Sequence, residues 1–333
     1  MSKKGKYSAQ ELCEIFSEAN KIGGGEVMRV YRERQLVADK VEIRNHPPRK
    51  SNNGTQPGIN WIDFECGTMR LVEEYMKNSK EIVLDPEACV PVKTKAWAVG
   101  DFIFDLEEYE KLPGQEERRT VLVKFPVVDG KIGGYETWVN ADPDPKMDSL
   151  LYDMEIKVRE TIPFPDQTGI VFDNKPDKET LAIIKKIGAD LKDGNTRGGG
   201  QGLVAALRKY AADEVNICHH PLKKYVDGKT TGKRWLDFEE ALNGMLTKAS
   251  EDMKPVETWF ITMKLHIICQ ETRVFHQPDG SKKTCRYMRV WPVVHGKITG
   301  YDAFYDPLPG EVSAAIEAME AKARKIIPLP KQV

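Results

Sequence analysis

Apolar residues recur at helical spacing near the start of the chain. Leu12, Ile15, Phe16, Ala19 and Ile22 share one face over residues 8–21, which predicts an amphipathic first helix. A triple glycine breaks it, and residues 27–37 read as a second helix. The period then drops to two. Val41-Glu-Ile-Arg-Asn-His46 alternates apolar and polar positions and stops at Pro47-Pro48, so it predicts a short strand followed by a polar loop over 51–58. Helical spacing returns over 61–77, and three strands follow at 95–106, 120–128 and 131–139. A closing helix carries Met154.

The same order appears again further along: helices at 179–192 and 201–211, a helix at 235–248, strands at 257–275, 284–294 and 297–305, and a closing helix with Met319. The sequence itself repeats. Pro126-Val-Val-Asp-Gly-Lys-Ile-Gly-Gly-Tyr135 returns as Pro292-Val-Val-His-Gly-Lys-Ile-Thr-Gly-Tyr301, identical at eight of ten positions. Its central Asp-Gly or His-Gly is hairpin chemistry between strand formers. Ala38-Asp39, Val41, Ile43 and His46-Pro47 return as Ala212-Asp213, Val215, Ile217 and His220-Pro221, and Trp61, Asp63-Phe64 and Glu65 as Trp235, Asp237-Phe238 and Glu239. Met154-Glu155, Lys157, Arg159 and Ile162-Pro163 match Met319-Glu320, Lys322, Arg324 and Ile327-Pro328. The chain therefore reads as two homologous α+β domains, 1–164 and 179–333, joined by an Asp-, Pro- and Gly-rich linker at 165–178. Each is large enough for its own core.

Composition excludes several classes. Fifty basic residues against fifty-one acidic ones leave no global field to draw in nucleic acid or an anionic membrane. No apolar run approaches the roughly 20 residues of a membrane span. The basic start lacks the apolar stretch of a signal peptide. Cys13, Cys66, Cys89, Cys218, Cys269 and Cys285 form no Cys-x-x-Cys and do not repeat between the copies, which argues against a zinc site or disulfide framework and for reduced thiols in a cytoplasm. The triple glycines are not followed by Gly-Lys-Ser/Thr, so they are no phosphate cradle. The basic stretches at 44–50 and 282–289 read as solvated surface.

A helical start, Asp-x-Val-x-Ile-x-x-His-Pro, a helix opening on Trp-x-Asp-Phe and the hairpin Asp-Gly-Lys-Ile-x-x-Tyr resemble the SnoaL-like polyketide cyclases of the nuclear transport factor 2-like (NTF2-like) superfamily. The resemblance implies two cone-shaped domains, each a curved antiparallel sheet wrapped around three to four helices in a cystatin-like α+β barrel. It implies a covalent pseudo-dimer. It also implies chemistry without a metal or organic cofactor, carried by titratable groups in an apolar cone. The family's usual acid on the last strand falls at Thr137 and Ala303, so neither copy has it; Glu136 and Asp302 stand one residue earlier. A further acidic position is kept only as Asp306, against Asn140.

Several residues could carry such chemistry. His46 and His220 occupy matching places, as general bases or as anchors of the Pro47 and Pro221 loops. Asp101 and His266 interrupt apolar runs, where an unpaired charge is costly. Tyr287 and Arg289 could orient a carbonyl or an oxyanion. Trp61, Trp97, Trp235 and Trp259 read as pocket walls or core, and Tyr305 as a pocket wall. The second copy has the larger set, with His220 or His266 as base, Asp302 as partner and Tyr287 polarising a carbonyl. Asp101 and Glu136 would form a second site or a structural partner. The expected substrate is a hydrophobic oxygenated small molecule, such as a polyketide, terpenoid, steroid or aromatic catabolite, undergoing cyclisation, isomerisation or dehydration. Two alternatives stand beside it. One is epoxide opening or ether-ring formation by the pairs Asp39/Glu65 and Asp213/Glu239, in the manner of tandem epoxide hydrolases of the superfamily. The other is a non-catalytic ligand-binding or scaffolding pseudo-dimer.

Overall fold

A computed structural model describes residues 7–21, 24–78, 91–111, 118–141, 145–172, 176–249, 254–276 and 279–331; Ile22, Gly23 and Cys89 lie outside the described residues. The chain divides into two compact units, Met1–Lys175 and Pro176–Val333. The first runs α1 (Ala9–Asn20), α2 (Gly24–Glu33), β1 (Val37–His46), β2 (Gly54–Pro57), α3 (Gly58–Asn78), β3 (Lys93–Val99), β4 (Phe102–Glu108), β5 (Thr120–Val128), β6 (Lys131–Val139) and α4 (Pro145–Arg159). The second runs α5 (Lys178–Leu207), β7 (Ala211–His220), β8 (Gly228–Thr231), α6 (Gly232–Ala249), β9 (Glu257–Thr262), β10 (His266–His276), β11 (Lys282–Val294), β12 (Lys297–Tyr305) and α7 (Gly310–Ala323). Helix α5 is two helical stretches kinked at Gly198 and Gly199, where the triple glycine interrupts the apolar period.

Each unit holds one six-stranded sheet, ordered β2-β1-β6-β5-β4-β3 or β8-β7-β12-β11-β10-β9. The sheets are mixed and open, which corrects the expected antiparallel barrel: β1 pairs parallel with β6 and β7 parallel with β12. Alternation of apolar and polar residues is the same for either strand direction, so periodicity could not distinguish them. Two long strands are also corrected. Residues 95–106 turn at Gly100-Asp101, with φ 57° at the glycine. Residues 257–275 turn at 263–265, where the Met263 N–H donates to the His266 carbonyl at 2.8 Å. That second turn contains no glycine or proline, and its apolar residues read as strand. The polar loops contain β2 and β8, each four residues long. The repeated hairpins have positive φ at both central residues, Asp129-Gly130 and His295-Gly296, as their chemistry requires.

Helices cover one face of each sheet. In the first unit Leu12, Phe16, Tyr31, Ile43, Trp61 and Phe125 meet in one core. In the second Ile187, Leu191, Val215, Trp235, Ile267 and Trp291 do so. Each such side chain contributes about 1.5–3 kcal/mol on burial. The closing helices are tied down by an arginine. Arg159 Nε donates to the Ser51 carbonyl at 2.7 Å and Nη1 to that of Pro163 at 2.8 Å, with the guanidinium 3.9 Å from the Phe64 ring centre. Arg324 repeats this on Tyr225, Pro328 and Phe238 at 2.6, 2.9 and 3.7 Å.

The parallel pairings depend on one glycine each. Gly134 and Gly300 sit at φ 116° and 127°, facing the carbonyls of Glu42 and Asn216 so closely that a Cβ would collide with the oxygen. Gly300→Ala is expected to cost about 2–4 kcal/mol, from strain plus the displaced strand. Urea denaturation measures this; a loss below about 0.5 kcal/mol would mean that the strand pair adapts freely.

Candidate active site

The inner face of the second sheet is set by strand alternation. On β7, Val215, Ile217 and His219 point inward; on β10, Ile267, Cys269 and Glu271; on β11, Tyr287, Arg289 and Trp291. From α6, Trp235 and Glu239 reach the same space. The interior is not the apolar funnel expected. Trp235 Nε1 and the Tyr301 hydroxyl both donate to Glu239 Oε1, at 3.3 and 3.1 Å. Glu271 lies between Arg273 at 2.6 Å and Arg289 at 3.4 Å. Burial works against ionisation of Glu271, but the two guanidiniums outweigh it and hold the carboxyl below its usual range. Burial likewise opposes the charge of Arg289, and Glu271 more than restores it.

Beside this pair stands a relay. His219 Nδ1 lies 2.5 Å from Asp227 Oδ1, and His219 Nε2 lies 2.8 Å from the Tyr287 hydroxyl. Asp227 Oδ2 accepts the Lys223 backbone N–H at 2.5 Å. A carboxylate on Nδ1 fixes the tautomer: Nδ1–H donates to Asp227, and Nε2 accepts from Tyr287. Burial lowers the His219 pKa against the pull of Asp227, so the ring is neutral at physiological pH. Burial also pushes the Tyr287 phenol above its usual value. The imidazole is surrounded by the rings of Tyr287, Tyr301 and Tyr305, with centroids 6.0, 5.4 and 6.1 Å away. His219, Glu239, Tyr287, Arg289, Tyr301 and Tyr305 line a cavity of about 70 Å³.

The first unit builds the same frame with different groups. Asn45 stands where the second has His219, and its Nδ2 donates to Asn53 Oδ1 at 2.8 Å, in the place of Asp227. The Arg49 N–H donates to that same oxygen at 2.8 Å. Strand register puts Val121 and Val123 where Tyr287 and Arg289 stand. Glu65 accepts from Asn52 at 2.9 Å and Trp61 at 3.0 Å, and its burial raises its pKa. The relay is thus confined to the second unit.

No family model and no curated protein matches the chain by sequence. Several solved structures are similar to it in fold. The chain is similar to an NTF2-like protein of unknown function from Burkholderia pseudomallei, at 13% identity over 44% of this chain and 98% of that one, with a TM-score of 0.24. It is similar to a protein from Mesorhizobium loti described as a SnoaL-like polyketide cyclase, at 16% identity over 36% and 97%, TM-score 0.24. Another protein so described, from Jannaschia sp., shares 14% identity over 40% and 94%, TM-score 0.26. These three neighbours are described as NTF2-like or SnoaL-like proteins. Each spans less than half of this chain, and the chemistry has to be read from the residues.

The residues singled out from sequence divide by face. Tyr287 and Tyr305 line the cavity; Trp235 and Trp61 are core residues that donate to Glu239 and Glu65. His46, Glu136, His220 and Asp302 point to the opposite side of their sheets, one position out of step with the inward Tyr135, His219 and Tyr301. There His46 Nε2 meets Glu136 at 2.8 Å and stacks on Trp138, while Lys124 holds the other oxygen of Glu136 at 2.5 Å. Burial disfavours the Glu136 charge, yet Lys124 and His46 bring its pKa well below the carboxylate range. His266 opens β10 on that outer face, and Trp97 and Trp259 lie on it, Trp97 stacked on Phe104. Asp101 is corrected: it is an exposed turn residue, not a charge in a buried strand. Asp39 and Asp213 are exposed on their strands, away from the half-buried Glu65 and Glu239 that hydrogen-bond to Trp61 and Trp235 instead.

Four buried titratable residues stand outside the sequence-based expectations: His219, Asp227, Glu271 and, in the first unit, Asp105. Parity was the available signal: His219 shares it with Val215 and Ile217, and Asp105 with Ile103. Asp105 is 1% exposed, and burial beside Glu107 pushes its pKa from 3.8 to about 8. With the folded value above the unfolded one, the contribution to stability is complete below about pH 4 and fades as pH rises to 8. Asp105→Asn is therefore expected to flatten the stability profile between pH 4 and 8, measured by denaturant titration at each pH. Parallel profiles for the two proteins would remove the assignment.

Proposed function

We propose that the second unit is a cofactor-independent acid–base catalyst for a compact oxygenated molecule, with Tyr287, His219 and Asp227 as its proton relay. A tyrosine, a neutral histidine and a carboxylate in series support this reading. So does the first unit, where asparagines and a valine hold the same places. His219, through Tyr287, takes a proton from the carbon beside a substrate carbonyl. The electron pair moves onto the carbonyl oxygen, and Arg289 stabilises the resulting enolate. Returning the proton to another carbon isomerises the substrate; losing a β-hydroxyl as water dehydrates it. Asp227 keeps Nδ1 protonated and stabilises the imidazolium.

Size narrows the class. The cavity of about 70 Å³ corresponds to roughly five water positions. That suits a one-ring compound or its open-chain equivalent and not a four-ring steroid. The first unit, lacking the relay, is read as a ligand-binding or structural partner.

Hydrogen exchange at the α-carbon tests the proposal without knowledge of the natural product. One-ring 1,3-diketones and β-hydroxyketones are incubated with the protein in D₂O and followed by NMR. His219→Asn and Tyr287→Phe should slow exchange by about 10²–10⁴-fold. His219→Asn combined with Asp227→Asn rebuilds the first unit's own pair and guards against misfolding. Exchange as fast as in the unaltered protein would sink the relay; binding without exchange would favour a ligand carrier.

A further inference from the structure

The outer face of the second sheet carries a group of side chains that the relay does not use. Cys218 and His220 stand two apart on β7, and Asp302 on β12 pairs directly with Cys218, so all three project to one side. Cys218 Sγ lies 3.5 Å from His220 Nε2, and that nitrogen lies 3.4 Å from Asp302 Oδ1. All three ligand atoms fall within 4.8 Å of one another. The His220 ring is held in place by stacking on Phe304, with centroids 4.9 Å apart and planes at 7°. The side chains of His220 and Asp302 are 37% and 53% exposed, so an ion can reach them.

We propose that Cys218, His220 and Asp302 bind a zinc-class divalent ion. Tetrahedral zinc at about 2.3 Å from sulfur and 2.0–2.1 Å from nitrogen and oxygen places its ligands roughly 3.3–3.6 Å apart. The two measured separations from His220 already lie in that range. A sulfur–nitrogen–oxygen set selects zinc, cobalt or nickel over magnesium or calcium, which take oxygen ligands. Binding converts the Cys218 thiol to a thiolate and releases its proton to solvent, and water completes the fourth position.

The first unit supplies an independent argument. Its matching positions are Arg44, His46 and Glu136, with Lys124 on the acid. Two cations there would repel a metal ion. The second unit replaces one by Cys218, a ligand, and the other by Val290, which pairs with Asp302. Histidine and acid are kept while both positive charges are gone.

Chelator-treated protein titrated with cobalt(II) should bind one ion and develop a thiolate-to-metal charge-transfer band, abolished by excess zinc. Cys218→Ser should remove the band and weaken zinc binding at least roughly 100-fold, and Asp302→Asn should weaken it, since three ligands leave no redundancy. His46→Ala should bind as the unaltered protein does. His219→Asn should also leave binding intact, which separates this site from the relay. Cobalt binding without the band, or undiminished binding by Cys218→Ser with unchanged circular dichroism, would overturn the proposal.

Discussion

A guanidinium packed over a phenylalanine ring helps hold each unit's interior in place. Arg159 and Arg324 come from the end of the closing helix and donate to backbone carbonyls of the loop after the first strand, at Ser51 and Tyr225. That loop carries the next shell of the interior. In the first unit it presents Asn52, which accepts from Arg159 at 3.3 Å and donates to Glu65 and Tyr135. In the second it presents Asp227, two residues after Tyr225, against His219. Burial pushes both arginines down to about 10, which still leaves them charged at neutral pH. The clamp acts together with Gln167 on the first loop and the Lys223–Glu320 ion pair on the second.

The frame is therefore common to both units, and the difference between them lies in what it carries. Buried charges are tolerated only when paired and hydrogen-bonded, and the second unit meets that condition by setting Glu271 between two arginines. Burial leaves the His219 imidazole neutral, with one nitrogen committed to Asp227 and the other to a phenol. The first unit meets the same geometric demand with side-chain amides and two valines, and has nothing with which to move a proton at that place.

Much of this was legible in the residues. The duplication, the two helical starts, the repeated hairpin and the α+β class all rest on local patterns strong enough to survive any tertiary arrangement. What escaped depended on pairing. Parallel pairing of the first and last strands leaves the period of two unchanged. The turn at 263–265 has apolar residues where turns usually show glycine. His220, expected as a base, faces away from the cavity while the adjacent His219 lines it, and only the face of the strand tells them apart. Asp227 owes its place to His219 across the loop after β7, which spacing alone does not reveal.

The exchange of Asn45 and Asn53 for His219 and Asp227 gives the two halves of one polypeptide different responses to acid. Amides do not titrate under any condition a cell offers. An imidazole does, although the burial of His219 delays protonation beyond the ordinary histidine range. Once it is protonated, Nε2 can no longer accept from Tyr287, and the chain of donors runs the wrong way. Acid strong enough to protonate His219 would thus break its bond to Tyr287 in one half, while the matching amides of the other half stay as they are.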